Sequence, residues 1–464
     1  MTKIPVTAPF DGSEITTVPN ATRVDVESAL ATAYGLYRDR DGWLSKPQRI
    51  EILRKAAEII KERREELAVA AAREGGKPLP DSLVEIDRAA DGVENCIEVL
   101  RSEGGRVIPM SLNTSSTGRV AFTQFEPIGV VVAVSAFNHP FNLIVHQVAP
   151  AIAVGCPVIV KPADVTPLSC YAFAEILCDA GLPKDWCQVL VPQDLADASA
   201  LVTDERNAFF SFIGSARVGW MLRSKLAPGT RCALEHGGAA PVILAADADL
   251  DDALPRLAKG GFYHAGQVCV SVQRIFAHSS IAVKSAEKLA ELGAGMKVGD
   301  PTLANTEVGP LIRMGEVDRV DEWVQAAIAG GAKCLTGGER LSGSCYKPTV
   351  LLDPPADANV STMEIFGPVI CVYSYDDLDA AIAQANSLPV SFQAAVMTKD
   401  IDTAMRVYNR IDATAVMVNE HTAFRVDWMP FAGARQSGHG VGGIPFTMHE
   451  MQVEKMMVLR SDEL

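Results

Sequence analysis

The chain has 464 residues, 48% of them hydrophobic and 21% charged, which excludes a disordered or collagen-like polymer and supplies apolar side chains for two or three domains. Its 42 Lys and Arg stand against 57 Asp and Glu. The resulting charge of −15 repels phosphate backbones and anionic lipid, so neither nucleic acid nor a membrane is expected as a partner. Ten scattered cysteines, none in a CxxC pair, read as buried thiols of a reducing compartment, with no disulfide frame and no metal site. No secretory-type apolar segment stands near the N-terminus, and residues 143–160 are interrupted by His146, Gln147, Pro150 and Pro157. A cytoplasmic protein is expected.

The first hundred residues read as helices. From Ser45-Lys46-Pro47, residues Leu53, Ala57, Ile60 and Leu67 recur at helical spacing until Gly75-Gly76 ends the run. Residues 106–125 alternate around a turn at Ser115, Ser116 and Gly118, a hairpin with no nearby core partner and hence a candidate intersubunit arm. Apolar runs at 130–134, 158–160, 188–191, 209–213 and 232–234 then alternate with helical segments, as strands buried on both faces of a parallel sheet require. A second alternation follows Gly237-Gly238, through 242–244, 274–277, 369–373, 394–397 and 415–418. Two α/β domains meeting near residues 235–240 are expected.

Three residues carry candidate chemistry. Cys269 stands in Gly266-Gln267-Val268-Cys269-Val270-Ser271, where a backbone N–H beside a thiol helps to bind an oxyanion; an inert core thiol is the alternative. Glu235 ends a strand and precedes two glycines, where open α/β sheets place ligands; a solvated loop acid is its alternative. Asn138, in Phe137-Asn138-His139-Pro140, offers an amide donor to a developing negative oxygen or a cap for the next helix. Gly214-Ser215-Ala216-Arg217-Val218-Gly219 joins a strand to a helix and suits a pyrophosphate, although no GxGxxG follows an early strand.

Taken in order, these segments resemble the aldehyde dehydrogenase superfamily. The likeness continues through Lys161-Pro162-Ala163-Asp164, Glu364-Ile365-Phe366-Gly367-Pro368 and Pro430-Phe431-Ala432-Gly433, leading to Ser437-Gly438, and it spans nearly the whole chain. The resemblance implies Cys269 as nucleophile, Asn138 and the Cys269 N–H as oxyanion donors, and Glu235 as the base for the hydrolytic water. It implies a dinucleotide held by Ser135, Lys161, Ala163, Asp164, Gly214, Ser215, Val218, Gly237, Glu364 and Phe366. NAD is expected over NADP, because the Asp164 charge repels a 2′-phosphate, with use of both as the alternative. Departures from the family pattern are Pro192-Gln193-Asp194-Leu195-Ala196-Asp197 in place of a Gly-rich turn, His236 for leucine, His264 for asparagine, and Ala432 in the PFGG motif.

The fold class expected is α/β. A doubly wound cofactor-binding domain (1–105 and 125–237) and a second α/β catalytic domain (238–435) are joined by a small β oligomerisation element (106–124 and 450–464), which makes a homodimer or homotetramer. The expected reaction is oxidation of an aldehyde to its carboxylate through a thiohemiacetal and a thioester. The alternatives are a CoA-acylating semialdehyde dehydrogenase, which typically lacks the glutamate, and an inactive binding or structural relative. The resemblance places the substrate between the helix after Asn138 and the loop 419–430. There His139, His146, Phe424 and Arg425 suit a short polar or anionic aldehyde, with Arg425 as its anchor unless Asp427 or another acid engages it.

Overall fold

The computed structural model describes residues 2–464. The chain begins with a hairpin, β1 (Lys3–Thr7) and β2 (Glu14–Pro19), so the expectation of an all-helical first hundred residues is corrected there. Its turn is closed by Asp11, which accepts from the Ser13 N–H and hydroxyl, and by Gly12 at φ +74°. The alternation that turns Ile4 and Val6 inward is too short to stand out in sequence.

Four helices follow: α1 (Arg23–Arg38), α2 (Lys46–Glu62), α3 (Arg64–Gly75) and α4 (Leu79–Ser102). A capping box between Ser45 and Gln48 starts α2. The single helix expected from here to Gly75 is two helices, broken at Arg63, and Gly76 at φ +76° closes the second. Short β3 (Val107–Ile108) and long β4 (Arg119–Pro127) form the expected hairpin.

The first parallel sheet contains β5 (Val130–Val134), β6 (Val158–Lys161), β7 (Cys187–Val189), β8 (Asn207–Ile213) and β9 (Arg231–Glu235), in the order β9-β8-β5-β6-β7. The crossovers are α5 (Asn142–Val154), α6 (Leu168–Asp179), α7 (Leu195–Thr203) and α8 (Ala216–Arg223). One face of the sheet packs on α2, α4, α5 and α6, the other on α1, α7 and α8, which is a doubly wound arrangement.

The second sheet has seven strands: β10 (Pro241–Leu244), β11 (Arg274–His278), β12 (Lys333–Thr336), β13 (Thr349–Leu352), β14 (Val369–Tyr375), then β16 (Gln393–Met397) and β17 (Ala415–Val418) beyond the two-residue β15 (Val390–Ser391). Sequence reading missed β12 and β13; β12 is an edge strand with no fully buried residue. Helices α9 (Leu250–Phe262), α10 (Ser279–Gly295) and α11 (Met314–Ala329) cover this sheet.

The chain then turns back. After β18 (Ala434–Arg435), β19 (Gly438–His439) pairs antiparallel with β9, and the short helix Ile444–Glu450 buries Ile444 and Met448 against α4 and α5. Residues 436–449, which sequence reading left unassigned, thus complete the first sheet. Finally β20 (Gln452–Arg460) pairs along the full length of β4, making a three-stranded antiparallel sheet with β3. No helix among the described residues is long and apolar enough to cross a membrane.

Candidate active site

Between the carboxyl end of the first sheet and the second sheet, three short segments meet. Glu235 is the last residue of β9, and its carbonyl accepts the Gly214 N–H at 3.0 Å, tying the end of that strand to the turn before α8. A Cβ at Gly442 would lie 2.2 Å from Glu235 Oε1, so the glycine makes room for this carboxyl. Burial raises the Glu235 pKa and Arg425 opposes the shift.

Cys269 follows a strained loop. His264, Ala265 and Gly266 take φ of +49°, +53° and +70° in succession, and only the last is a glycine. Gln267 holds the loop down: its Nε2 donates to the Pro310 carbonyl at 3.2 Å and its Oε1 accepts the Ile312 N–H at 3.0 Å. Burial pushes the Cys269 thiol up to about 12; Arg425 opposes that shift, and Glu364 and Glu235 add to it. The thiol is therefore protonated at neutral pH.

Asn138 is buried, and its Nδ2 donates to the Gln267 carbonyl at 2.9 Å, which orients the amide beside the loop that carries Cys269 and leaves its second hydrogen free to donate. The turn it occupies is anchored by Glu85, whose carboxylate accepts the Phe141 and Asn142 N–H groups at 2.9 Å each. Lys77 Nζ donates to the other Glu85 oxygen at 2.6 Å, and both side chains are fully buried.

The residues expected to hold a dinucleotide fit one. The buried Ser135 Oγ and Glu364 Oε1 have no hydrogen-bond partner, and Ser215 at the start of α8 spends no side-chain bond on capping. Ser215 and the first-turn N–H groups next to Val218 are thus free to meet an anion. A Cβ at Gly237 would come 1.6 Å from Glu364 Oε1, so the backbone there accommodates that carboxyl. Burial raises Glu364 to about 8, with Arg319 and the Gly238 N–H opposing. Lys161 Nζ donates to Asp164 Oδ1 at 2.6 Å, the Ala163 carbonyl accepts the Thr166 N–H, and Phe366, at φ +45°, stands edge-on to Phe137. His236 Nδ1 lies 2.8 Å from the Gly214 carbonyl, so this departure from the family pattern braces the same turn.

The four residues expected at the substrate are placed differently. His139 pairs with the Tyr263 hydroxyl at 2.9 Å, and His146 with Asp427 Oδ1 at 2.7 Å. Phe424 is exposed at the rim. Arg425 lays its guanidinium over the Phe431 ring, 3.6 Å from the centroid, and places Nη2 3.3 Å from His146 Nδ1. Its Nε is buried without a partner, 3.9 Å from Asp427 Oδ1. Asp427 is instead taken by Arg88, whose Nε and Nη2 grip both carboxylate oxygens at 3.0 and 2.6 Å. Sequence reading missed Arg88 and Tyr263. Neither lies in a motif, and Arg88 meets Asp427 across 339 positions of chain.

The sequence model of the aldehyde dehydrogenase family matches residues 1–457. A 3-sulfolactaldehyde dehydrogenase from Priestia aryabhattai is 38% identical over 439 residues, covering 95% of this chain and 91% of that one. Among solved structures, aldehyde dehydrogenase 21 from Physcomitrella patens, in complex with the reaction product succinate, superposes with a TM-score of 0.94 at 34% identity, covering 99% of this chain and 95% of that chain. Glyceraldehyde-3-phosphate dehydrogenase from Methanocaldococcus jannaschii, complexed with NADP, gives a TM-score of 0.94 at 33% identity, with 99% of each chain covered. The chain belongs to the aldehyde dehydrogenase family and is an oxidoreductase that acts on aldehydes with NAD or NADP as acceptor.

Proposed function

We propose that this enzyme oxidises a short aldehyde bearing an anionic group to the carboxylate, with Cys269 as nucleophile and water as acyl acceptor. The observation that carries the substrate class is Arg425, a guanidinium beside Cys269 and Glu235 whose Nε is buried without a partner. Asp427 Oδ1 stands 3.9 Å from that Nε, and its carboxylate is hydrogen-bonded by Arg88 and His146 instead. A sulfonate or carboxylate on the substrate completes the charge balance. The sulfonated substrate named for the Priestia relative and the dicarboxylate product in the Physcomitrella structure support this class.

The sulfur of Cys269 adds to the carbonyl carbon and forms a thiohemiacetal. Because burial holds the thiol near 12, its proton needs an acceptor in the cleft, and Glu235 takes that part. The free hydrogen of the Asn138 amide and the Cys269 N–H stabilise the oxyanion. Bound NAD or NADP supplies the acceptor for the hydride. Once oxidised, the acyl group stays on Cys269 as a thioester; Glu235 gives the thiol proton up to solvent, takes a proton from the water that attacks the thioester, and the Cys269 sulfur leaves as a thiolate that regains a proton as the carboxylate is released.

Lys161 and Asp164 would hold the adenosine ribose, with Ser135 and Ala163 beside them. Gly214, Ser215 and Val218 at the start of α8 would hold the pyrophosphate, and Gly237, Glu364 and Phe366 the nicotinamide end. The Asp164 carboxylate, kept in place by Lys161, favours NAD. Strand β20 leaves Met456, Met457, Val458 and Leu459 about half exposed, between 49% and 54%, which supports a homodimer or homotetramer joined through this sheet, and ten free cysteines support the cytoplasm as its compartment.

A kcat/KM panel tests the reading: short sulfo-, carboxy- and phospho-aldehydes against neutral aldehydes of equal length, with NAD and NADP, with and without CoA. Anionic aldehydes are expected to lead, with NAD and without CoA. A preference for long neutral chains refutes the substrate class, and absolute dependence on CoA refutes hydrolysis.

A further inference from the structure

Arg88, Asp427, His146 and Arg425 form one continuous chain of contacts, from α4 through α5 to the rim of the cleft. Arginine has donors and no acceptor, so in the 3.3 Å contact with Arg425 Nη2 the His146 Nδ1 is the acceptor. Asp427 accepts, so His146 Nε2 carries the proton in the 2.7 Å contact with Oδ1. The ring between them is the neutral Nε2–H tautomer with both nitrogens committed. Burial favours the neutral ring and Arg425 adds to that effect, while Asp427 opposes it.

We propose that His146 is a positioning residue for substrate selectivity: its unprotonated Nδ1 seats the guanidinium of Arg425, so preference for an anionic aldehyde depends on a neutral histidine that never touches the substrate. The proposal rests on the reading of Arg425 as the anchor. Arg425 is fixed on two sides, by the Phe431 ring against its face and by His146 against one edge. A long cationic side chain fixed before binding loses less rotamer freedom when the anion arrives. Without the Nδ1 acceptor the guanidinium is held only by the Phe431 ring and by Asp427 at 3.9 Å, and its donors converge less well on one place.

The test compares succinic semialdehyde with its neutral amide, which has the same length and shape without the charge, as a ratio of kcat/KM values. Arg425→Gln is expected to collapse the ratio. His146→Phe is expected to lower it about tenfold, through KM for the anion, with kcat and the amide within about twofold. His146→Asn, whose side-chain oxygen takes the Nδ1 position, is expected to restore most of the ratio. His146→Gln, which reaches only the Nε2 position, is expected not to, and this pair carries the test if the Phe variant does not fold. Equal losses for both substrates would reduce His146 to a packing role and overturn the proposal. An unchanged ratio in His146→Phe, with a collapsed one in Arg425→Gln, overturns the positioning role and leaves the anchor standing. An unchanged ratio in Arg425→Gln overturns the anchor and the proposal with it.

Discussion

Two ionic clusters stand one turn of α4 apart, at Glu85 and at Arg88, and differ in how completely their charges are paired. Lys77 and Glu85 form a closed pair: both are fully buried, and the carboxylate also accepts two N–H groups at the start of α5. The Arg88–Asp427–His146–Arg425 chain is open, because it holds two guanidiniums for one carboxylate and leaves Arg425 Nε unpartnered. Closure fixes structure, here the turn that carries Asn138. A charge left incompletely paired at a cleft suits a ligand of opposite sign.

Breaking the closed pair has the largest expected effect on the fold. Lys77→Met strands a buried carboxylate and is expected to cost about 3–5 kcal/mol in denaturant unfolding. Arg425→Gln breaks the open cluster and is expected to change stability by only about 1 kcal/mol. Its effect falls on recognition: a loss of about 1.5–3 kcal/mol, roughly ten- to a hundredfold, in kcat/KM for the anionic aldehyde. The same loss of stability in both variants would erase the distinction.

The acids of the molecule sharpen the contrast through pH. Burial alone would raise Asp427, but His146 and Arg88 reverse the effect and hold it well below the usual carboxylate range. Its contribution to stability is therefore present above about pH 4 and lost as the solution becomes more acid. Glu364, with an unpartnered oxygen, is raised by burial from 4.5 to about 8. It keeps its proton in the fold and loses it on unfolding across that interval, so stability falls as pH rises from about 4.5 to 8. In the cofactor-free enzyme Glu364→Gln is expected to flatten the slope by at most about 1.36 kcal/mol per pH unit. An unchanged slope would mean that Glu364 is ionised in the fold.

Local order was legible in the chain and long-range order was not. Cys269, Glu235 and Asn138 sit in short motifs whose glycines and strand ends suggest a ligand site, and the inner strands of both sheets, apart from the missed four-residue β13, are apolar runs. The alternation of the β1–β2 hairpin is too short to stand out, and β12 has no fully buried residue. The return of β19 to β9 is made by two residues after a long excursion, and no local pattern encodes it. The partners of His139 and His146 escaped for the same reason: Asp427 was visible as a possible mate for Arg425, whereas Arg88, on the far side of the sequence, takes it.

The central claim is a covalent route through Cys269 completed by Glu235 and water. Glu235→Gln keeps the size of the side chain and removes the base, so with succinic semialdehyde and NAD Cys269 should acylate slowly, for want of an acceptor for the thiol proton, and then stall, for want of one for the water proton. Intact-mass and peptide mass spectrometry of that variant should then find an acyl group on Cys269, in step with no more than one burst of NADH per site and without CoA. Full turnover with no mass on Cys269, or an acyl group on another residue, would contradict the account.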